Sequence, residues 1–273
     1  MMMEIISSRN NPKIKRIRAL KEHKARQNSG LTLVEGIFPV GEAAAARTKG
    51  VRIETIVYAP SLLKSAFASG LVEQLAAQGV VCLAVSAEVF ASLADKENPQ
   101  GILAVVRPPL YDLEHLNPTN AAWCVALVSP QDPGNVGSII RTMDAVGASA
   151  LLLLNSDLDP YHPGVVRASM GTALWMPVAA AGFESFVRWT RQHAYTIYGT
   201  SAHGVQDYLR QDYRTPCVLL LGSEREGLSA NQRAACNALV RLPMRGRATS
   251  LNLAVACGVM LYTMLEKLTA QGK

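Results

Sequence analysis

Three short stretches combine residue types that handle anions and fix polar geometry. The first, DPGNVGSIIRT, runs from Asp132 to Thr142. Its glycines let backbone N–H groups approach a ligand, and the helix it opens carries partial positive charge at its N-terminus. Asn135 supplies an amide in the predicted turn. Arg141 follows Gly137 by four residues, one turn into the helix on the same face. The stretch is neither the G-x-G-x-x-G of a dinucleotide site nor the G-K-[ST] of a phosphate loop. An anion site and a tight turn followed by a surface arginine are both open on these residues alone.

The second stretch, CVLLLGSEREGLS from Cys217 to Ser229, is a strand ending in a glycine turn. Gly222, Glu224 and Gly227 would lie beyond the strand's C-terminal end, where open α/β sheets bind ligands. The bland alternative is a loop in which Glu224 favours a helix N-terminus. The third, VRLPMRGRATSLNLAVACGVM from Val240 to Met260, passes from strand through loop to helix. Ser250 is the predicted N-cap. Asn252, in the first turn of an otherwise apolar helix, needs partners if buried. It either caps locally or meets a ligand.

Positioning these stretches requires alternating strands and helices. Asn11-Pro12 opens a helix with an apolar stripe at Ile14, Ile17 and Leu20. Strands are predicted at Leu31–Val34 and Ile53–Tyr58, with a helix near Pro39–Arg47 between them. GVVCLAVSAEVFASLAD reads as a strand and a helix opened by Ser86, and GILAVVRPP as a further strand. Residues 1–107 thus form a small α/β domain. The proline-containing residues 108–120 read as a linker. In residues 121–273 strands are predicted at Trp123–Val128, Ala150–Asn155, Thr196–Thr200, Cys217–Leu221 and Leu239–Leu242. Helices are predicted at Gly137–Val146, Phe183–His193, Asn231–Ala234 and Leu251–Leu268. These strands are apolar throughout, the signature of a parallel sheet covered on both faces.

Together and in this order, the three stretches resemble the motifs of the SpoU branch of the SPOUT RNA 2′-O-ribose methyltransferases. Asn135, Gly137, Arg141 and Thr142 match the first motif. Leu221, Gly222, Glu224, Gly227 and Leu228 match the second. Pro243, Met244, Gly246, Ser250, Leu251 and Asn252 match the third, and RASMGTALWMPV, beginning at Arg167, resembles the intervening segment. The resemblance covers about Trp123 to Leu268; residues 1–107 resemble, less specifically, a ribosomal-protein-like substrate-binding domain. It implies an α/β trefoil-knotted domain, a homodimer, and S-adenosylmethionine bound near Thr200, Ser201, Ala202, Leu221, Gly222, Glu224, Gly227, Leu242, Met244, Ser250 and Leu251. It assigns the central role to Arg141, as base or as a cation that binds phosphate and stabilises the developing alkoxide. Asn135 would orient the hydroxyl or Arg141. Glu224 would anchor the site, and Ser250 and Asn252 would fix the target phosphate or its loop. Ribosomal RNA is the favoured substrate, with transfer RNA as the alternative. DNA is excluded because it lacks the 2′-hydroxyl.

The 273-residue chain has a net charge of +6, and residues 1–30 hold eight basic residues against two acids, so the remainder is neutral. Such asymmetry suits a basic arm meeting a polyanion. Its candidate RNA-binding cations are Lys13, Lys15, Arg16, Arg18, Lys21, Lys24 and Arg26, joined by Arg141 and Arg167. The alternative is a solubilising helix. Five scattered cysteines and five dispersed histidines suggest a reducing cytoplasm and no metal site. The start of the chain becomes charged before any apolar signal region forms. The apolar stretch from Leu251 is short for a membrane span and reads as a buried helix. Two other classes stay in view: a non-catalytic RNA-binding protein, and a nicotinamide dehydrogenase, which would need the glycine fingerprint this chain lacks.

Overall fold

The computed structural model describes residues 5–202 and 204–270. Glu4, one of the two acids of the basic arm, lies outside them, as do the outermost residues of both predicted domains. The chain divides into two compact units, one of Met1–Pro109 with Tyr161–Trp175 and one of Leu110–Pro160 with Met176–Lys273. The return of Tyr161–Trp175 to the first unit departs from the continuous 121–273 domain read from sequence. Val166 and Leu174 join the first unit's apolar core, which explains it.

The first unit begins with helices α1 (Pro12–Ala19) and α2 (His23–Ser29). Then come β1 (Thr32–Glu35), α3 (Ile37–Ala45), β2 (Arg52–Tyr58), α4 (Ala66–Ala77), β3 (Val81–Ala84), α5 (Ala87–Leu93) and β4 (Ile102–Arg107). The four strands form a mixed sheet in the order β1-β4-β2-β3. Ile14 and Ile17 of α1 and Val89 and Phe90 of α5 fill one cluster of its core. Val40 of α3 and Leu71, Val72 and Leu75 of α4 fill the other. Helix α4, absent from the sequence reading, is capped by Ser65 and buries Ala68, Leu71, Val72 and Leu75, a helical spacing.

The second unit contains β5 (Trp123–Val128), α6 (Pro133–Val146) and β6 (Ala150–Leu154). After α7 (Pro163–Ala168), which belongs to the first unit, it continues with β7 (Val178–Ala181), α8 (Phe183–Gln192), β8 (Thr196–Thr200), β9 (Gln206–Asp207), β10 (Cys217–Leu221), α9 (Ala230–Ala234), β11 (Ala238–Arg241) and α10 (Leu253–Ala270). Its seven strands run in the order β7-β6-β5-β10-β8-β11-β9. Every pairing is parallel. Parallel sheets need cover on both faces, so β5, β6 and β10 are buried along their whole length. The predicted linker is not free chain: Leu113 and Leu116 are buried in this core, and the Leu116 carbonyl accepts a 2.8 Å bond from Trp189 Nε1.

Two helix starts differ from expectation, and both matter. Asp132, not the turn around Gly137, caps α6: its carboxylate accepts from Gly134 N at 2.7 Å, with Pro133 at the first helical position. Asn135 therefore sits in the first helical turn. Asn252, not Ser250, caps α10, because its Oδ1 accepts from the backbone N–H groups of Ala254 and Val255. One face of α10 packs along α6. The other leaves Val255 53% and Tyr262 57% exposed, so α10 is half-buried rather than buried. By length and composition it would pass for a membrane span.

Candidate active site

The C-terminal ends of β8, β10 and β11 open into three loops that enclose a cleft of about 600 Å³. The first loop contributes Thr200, Ser201 and Ala202. The second contributes Leu221, Gly222, Glu224 and Gly227. The third brings Leu242, Met244, Ser250 and Leu251, with Asn252 beside them. All eleven residues expected at a cofactor thus line one volume, of a size that suits a cofactor.

The glycine requirement in the second loop is steric. A Cβ at Gly222 would collide with the Gly227 carbonyl group and the Leu228 nitrogen, so β10 can turn back on itself only with glycine there. Gly227 has φ +66°, a left-handed conformation that glycine adopts freely. The cleft wall at this point is bare backbone, a cradle able to take a flat, polar ligand.

One hydrogen-bond chain ties the three motifs together. Glu224 accepts from the backbone N–H groups of Gln131 (3.2 Å) and Asp132 (3.5 Å) and from Asn135 Nδ2 (3.2 Å). Asn135 Oδ1 in turn accepts from Asn252 Nδ2 at 2.9 Å. All three partners of Glu224 are N–H donors, which an acceptor side chain satisfies. Asn135 is thereby oriented by Glu224 and Asn252. Within one chain it makes no hydrogen bond to Arg141 among the described residues.

Arg141 does not enter the cleft of its own chain. It lies six residues beyond Asn135 on α6, about 9 Å further along the axis and roughly 120° around it. Its side chain is exposed, and among the described residues it forms no ion pair. The face it shares with Ser138 and Ala145 is exposed as well. Gly137, four residues earlier, is buried.

The basic arm divides into two groups. Lys13, Lys15, Arg16 and Lys24 are exposed. Arg26 is a correction to the predicted RNA cations: it is 4% exposed and donates to the Leu20 and Lys21 carbonyls, closing the end of α1. Lys21 pairs with Asp95 at 2.9 Å. Arg18 donates to Ser92 Oγ and the Arg9 carbonyl. These two also serve the fold of the first unit. Arg167 is exposed on α7 and lines a small pocket of that unit with Glu35, Asp95 and Lys96.

A second set of cations escaped the sequence reading. Arg225 and Arg233 line the cleft, while Arg245 and Arg247 stand exposed on its third loop. Whole-chain charge hides them, because acids elsewhere cancel their sum. The signal was available in the motif loops themselves, GSEREG and PMRGRATS, read as local charge.

The thiols are chemically quiet. Burial pushes Cys236 up to about 11 and Cys217 up to about 12. Cys124 and Cys257 are raised further by the same cause. At neutral pH none offers a thiolate nucleophile. Among the described residues no three His, Cys, Asp or Glu side chains cluster to hold a metal.

The second and third motifs wall the cleft and the first motif is hydrogen-bonded to both, which is the arrangement the family resemblance implies. The SpoU rRNA methylase family matches residues 122–262, and an MRM3-like substrate-binding domain matches residues 11–104. The chain belongs to the SpoU rRNA methylase family. It is 32% identical to the 23S rRNA (uridine(2479)-2′-O)-methyltransferase of Streptomyces viridochromogenes, over 91% of this chain and 87% of that one. It is 28% identical to the 23S rRNA (guanosine(2553)-2′-O)-methyltransferase RlmP of Bacillus subtilis, over 95% and 98%. The crystal structure of an AdoMet-bound rRNA methyltransferase from Sinorhizobium meliloti superposes with a TM-score of 0.87 at 35% identity, covering 97% of this chain and 98% of that one.

Proposed function

We propose that this protein is an S-adenosylmethionine-dependent methyltransferase that modifies a ribose 2′-oxygen of ribosomal RNA. The observation that carries the proposal is the hydrogen-bonded chain Glu224–Asn135–Asn252, which ties the first motif to the two motifs that line the backbone-walled cleft. The bare Gly222–Gly227 wall and the apolar side chains of Leu221, Leu242 and Leu251 fit the purine and sulfonium portions of that cofactor. When bound, it supplies an electrophilic methyl group for in-line displacement.

The protein's own task is to present and activate the 2′-hydroxyl. Transfer would exchange the cofactor's C–S bond for a C–O bond, leaving the electron pair on the thioether sulfur and releasing the hydroxyl proton to water. Arg141 binds the adjoining phosphate and stabilises the developing oxyanion. Glu224 and Asn135 hold the first and second motifs in register. Ser250 and Asn252 set the third loop against the target nucleotide. Lys13, Lys15, Arg16 and Lys24 draw RNA to the first unit, and Arg225, Arg245 and Arg247 draw it to the cleft. A DNA strand has no oxygen at which to accept the methyl group.

We further propose a homodimer in which Arg141 acts at the partner's cleft. Its exposure away from its own cleft supports this, as does the apolar stripe of Val255, Val259 and Tyr262 on the helix packed beside α6. The trefoil-knotted path remains part of this reading through the family resemblance alone. A reducing cytoplasmic setting suits five free cysteines.

The test is transfer of labelled methyl groups to purified ribosomal RNA, followed by mapping of alkali-resistant linkages. The expected product is a 2′-O-methylated nucleotide in ribosomal RNA, absent when the target ribose is 2′-deoxy. Label in transfer RNA alone would move the substrate to the alternative class. RNA binding without transfer to either would leave a non-catalytic RNA-binding protein.

A further inference from the structure

The first unit carries a groove that none of the motifs explains. It lies between α3 and α4, with a volume of about 760 Å³, and its floor is made of small residues on α3, among them Gly41 and Ala45. Phe67, in the first turn of α4, forms one wall and is 63% exposed. A methyl group at Gly41 would touch its ring at 3.4 Å, so the ring leans over the α3 backbone. Phe38, one turn before Gly41 on α3, is 53% exposed.

The other walls are cationic and amidic. Arg47 and Arg52 line the groove, and no carboxylate does. Gln74 and Gln78 supply side-chain amides, with Arg47 donating to Gln78 Oε1. A single exposed ring is ordinary on a protein surface; its polar neighbours are what set this one apart. Here it is joined by phosphate-binding guanidinium groups and by amides that read base edges. That combination is the stacking platform and charged track of single-strand recognition.

We infer that the α3–α4 groove of the first unit binds a single-stranded RNA segment, with a base stacked on Phe67 and flanking phosphates held by Arg47 and Arg52. The inference rests on the RNA-methyltransferase reading above but names a face that reading does not use. It places single-strand selectivity in the groove and leaves the α1 cations to sequence-independent attraction.

The test uses the full chain and a fluorescein-labelled, unstructured 12-nucleotide RNA, with an RNA duplex of equal length for comparison. Phe67→Ala weakens single-strand binding by about tenfold, the scale of one lost stacking contact, and changes duplex binding little. Phe67→Trp restores affinity. Arg47→Ala with Arg52→Ala flattens the salt dependence of single-strand binding. S-adenosylmethionine affinity, measured by calorimetry, and the thermal midpoint stay at wild-type values, which shows the variants are folded. Unchanged single-strand affinity in both folded variants would overturn the inference. So would loss of self-association in Phe67→Ala with RNA affinity intact, which would assign the face to a second copy of the chain. Methyl transfer by the wild type to ribosomal RNA is measured in parallel. Its failure would strike the proposed function, whereas its success alongside unchanged groove variants would strike only this inference.

Discussion

Asn252 Nδ2 donates a 2.9 Å hydrogen bond to Asn135 Oδ1 across 117 positions of sequence. The same Asn252 caps α10 through Oδ1, and the same Asn135 donates to Glu224. Two amides thus convert a helix cap, a helix first turn and a strand-end loop into one rigid unit. Asn135→Ala and Asn252→Ala should each lower methyl transfer, and their effects on stability should be non-additive. A double-mutant cycle by urea unfolding should yield a coupling of about 1 kcal/mol. Simple additivity would show that the contact carries no energy.

Arg141 is exposed and outside its own cleft, so its loss should cost chemistry without costing structure. Arg141→Ala should reduce the transfer rate by about 100-fold or more. S-adenosylmethionine affinity and the thermal midpoint should stay unchanged. If the homodimer reading holds, mixing Arg141→Ala with a cleft-defective Gly222→Ala chain should recover part of the activity. Wild-type transfer by Arg141→Ala alone would remove this residue from the reaction.

Two glycines of the motif loops should behave oppositely. A Cβ at Gly222 collides with backbone, so Gly222→Ala should lower the thermal midpoint and abolish cofactor binding. A Cβ at Gly246 meets nothing within 4 Å. Gly246→Ala should leave stability within about 0.5 kcal/mol. Equal tolerance at both sites, read by thermal melts and calorimetry, would contradict the cradle geometry.

The basic arm should separate into binding and folding cations. Replacing Lys13, Lys15, Arg16 and Lys24 with Ala should flatten the dependence of RNA affinity on salt, by about 0.7 to 0.9 of a log unit per charge that contacts phosphate. Arg26→Ala should instead destabilise the first unit by about 1 to 3 kcal/mol, because it leaves the buried end of α1 uncapped. A salt slope untouched by the fourfold variant would reduce the arm to a solubilising helix.

Stability should fall at alkaline pH. Cys217 and Cys236 hold their protons in the folded chain up to about 12 and 11, against 9.0 for an ordinary thiol. The unfolded chain therefore loses protons first as pH rises through 9, fewer protons are bound unfolded than folded, and the unfolding free energy declines. Below about pH 8 these groups contribute no slope. Urea unfolding at pH 8 and pH 10 checks the sign, and a rise in stability over that interval would refute it.

Much of the frame was legible in the residues. Strands β5, β8 and β10 fall on the predicted bounds; β5 and β10 are short apolar runs buried along their length and stopped by Ser129 and Gly222, and β8 is a short β-branched and aromatic segment stopped before Ser201. Each motif stretch also follows a strand end, a position legible from the apolar run before it. Local pattern failed where two readings of one stretch have similar energy. SAFASGLVEQLAA contains Gly70 and few charges, so α4 went unseen although its apolar spacing is helical. DPGNVG was read as a turn because proline and glycine mark turns, yet Asp132 and Pro133 make it a helix start.

The amino-acid sequence by itself determined most of the strands, the three motif stretches and the basic arm, because propensity, capping and hydrophobic period act over a few residues. Tertiary structure alone decided the partners. Asn252 reaches Asn135, Arg26 turns inward and Arg141 turns away because strand order and helix phase set which distant side chains meet, and neither is written in any local stretch.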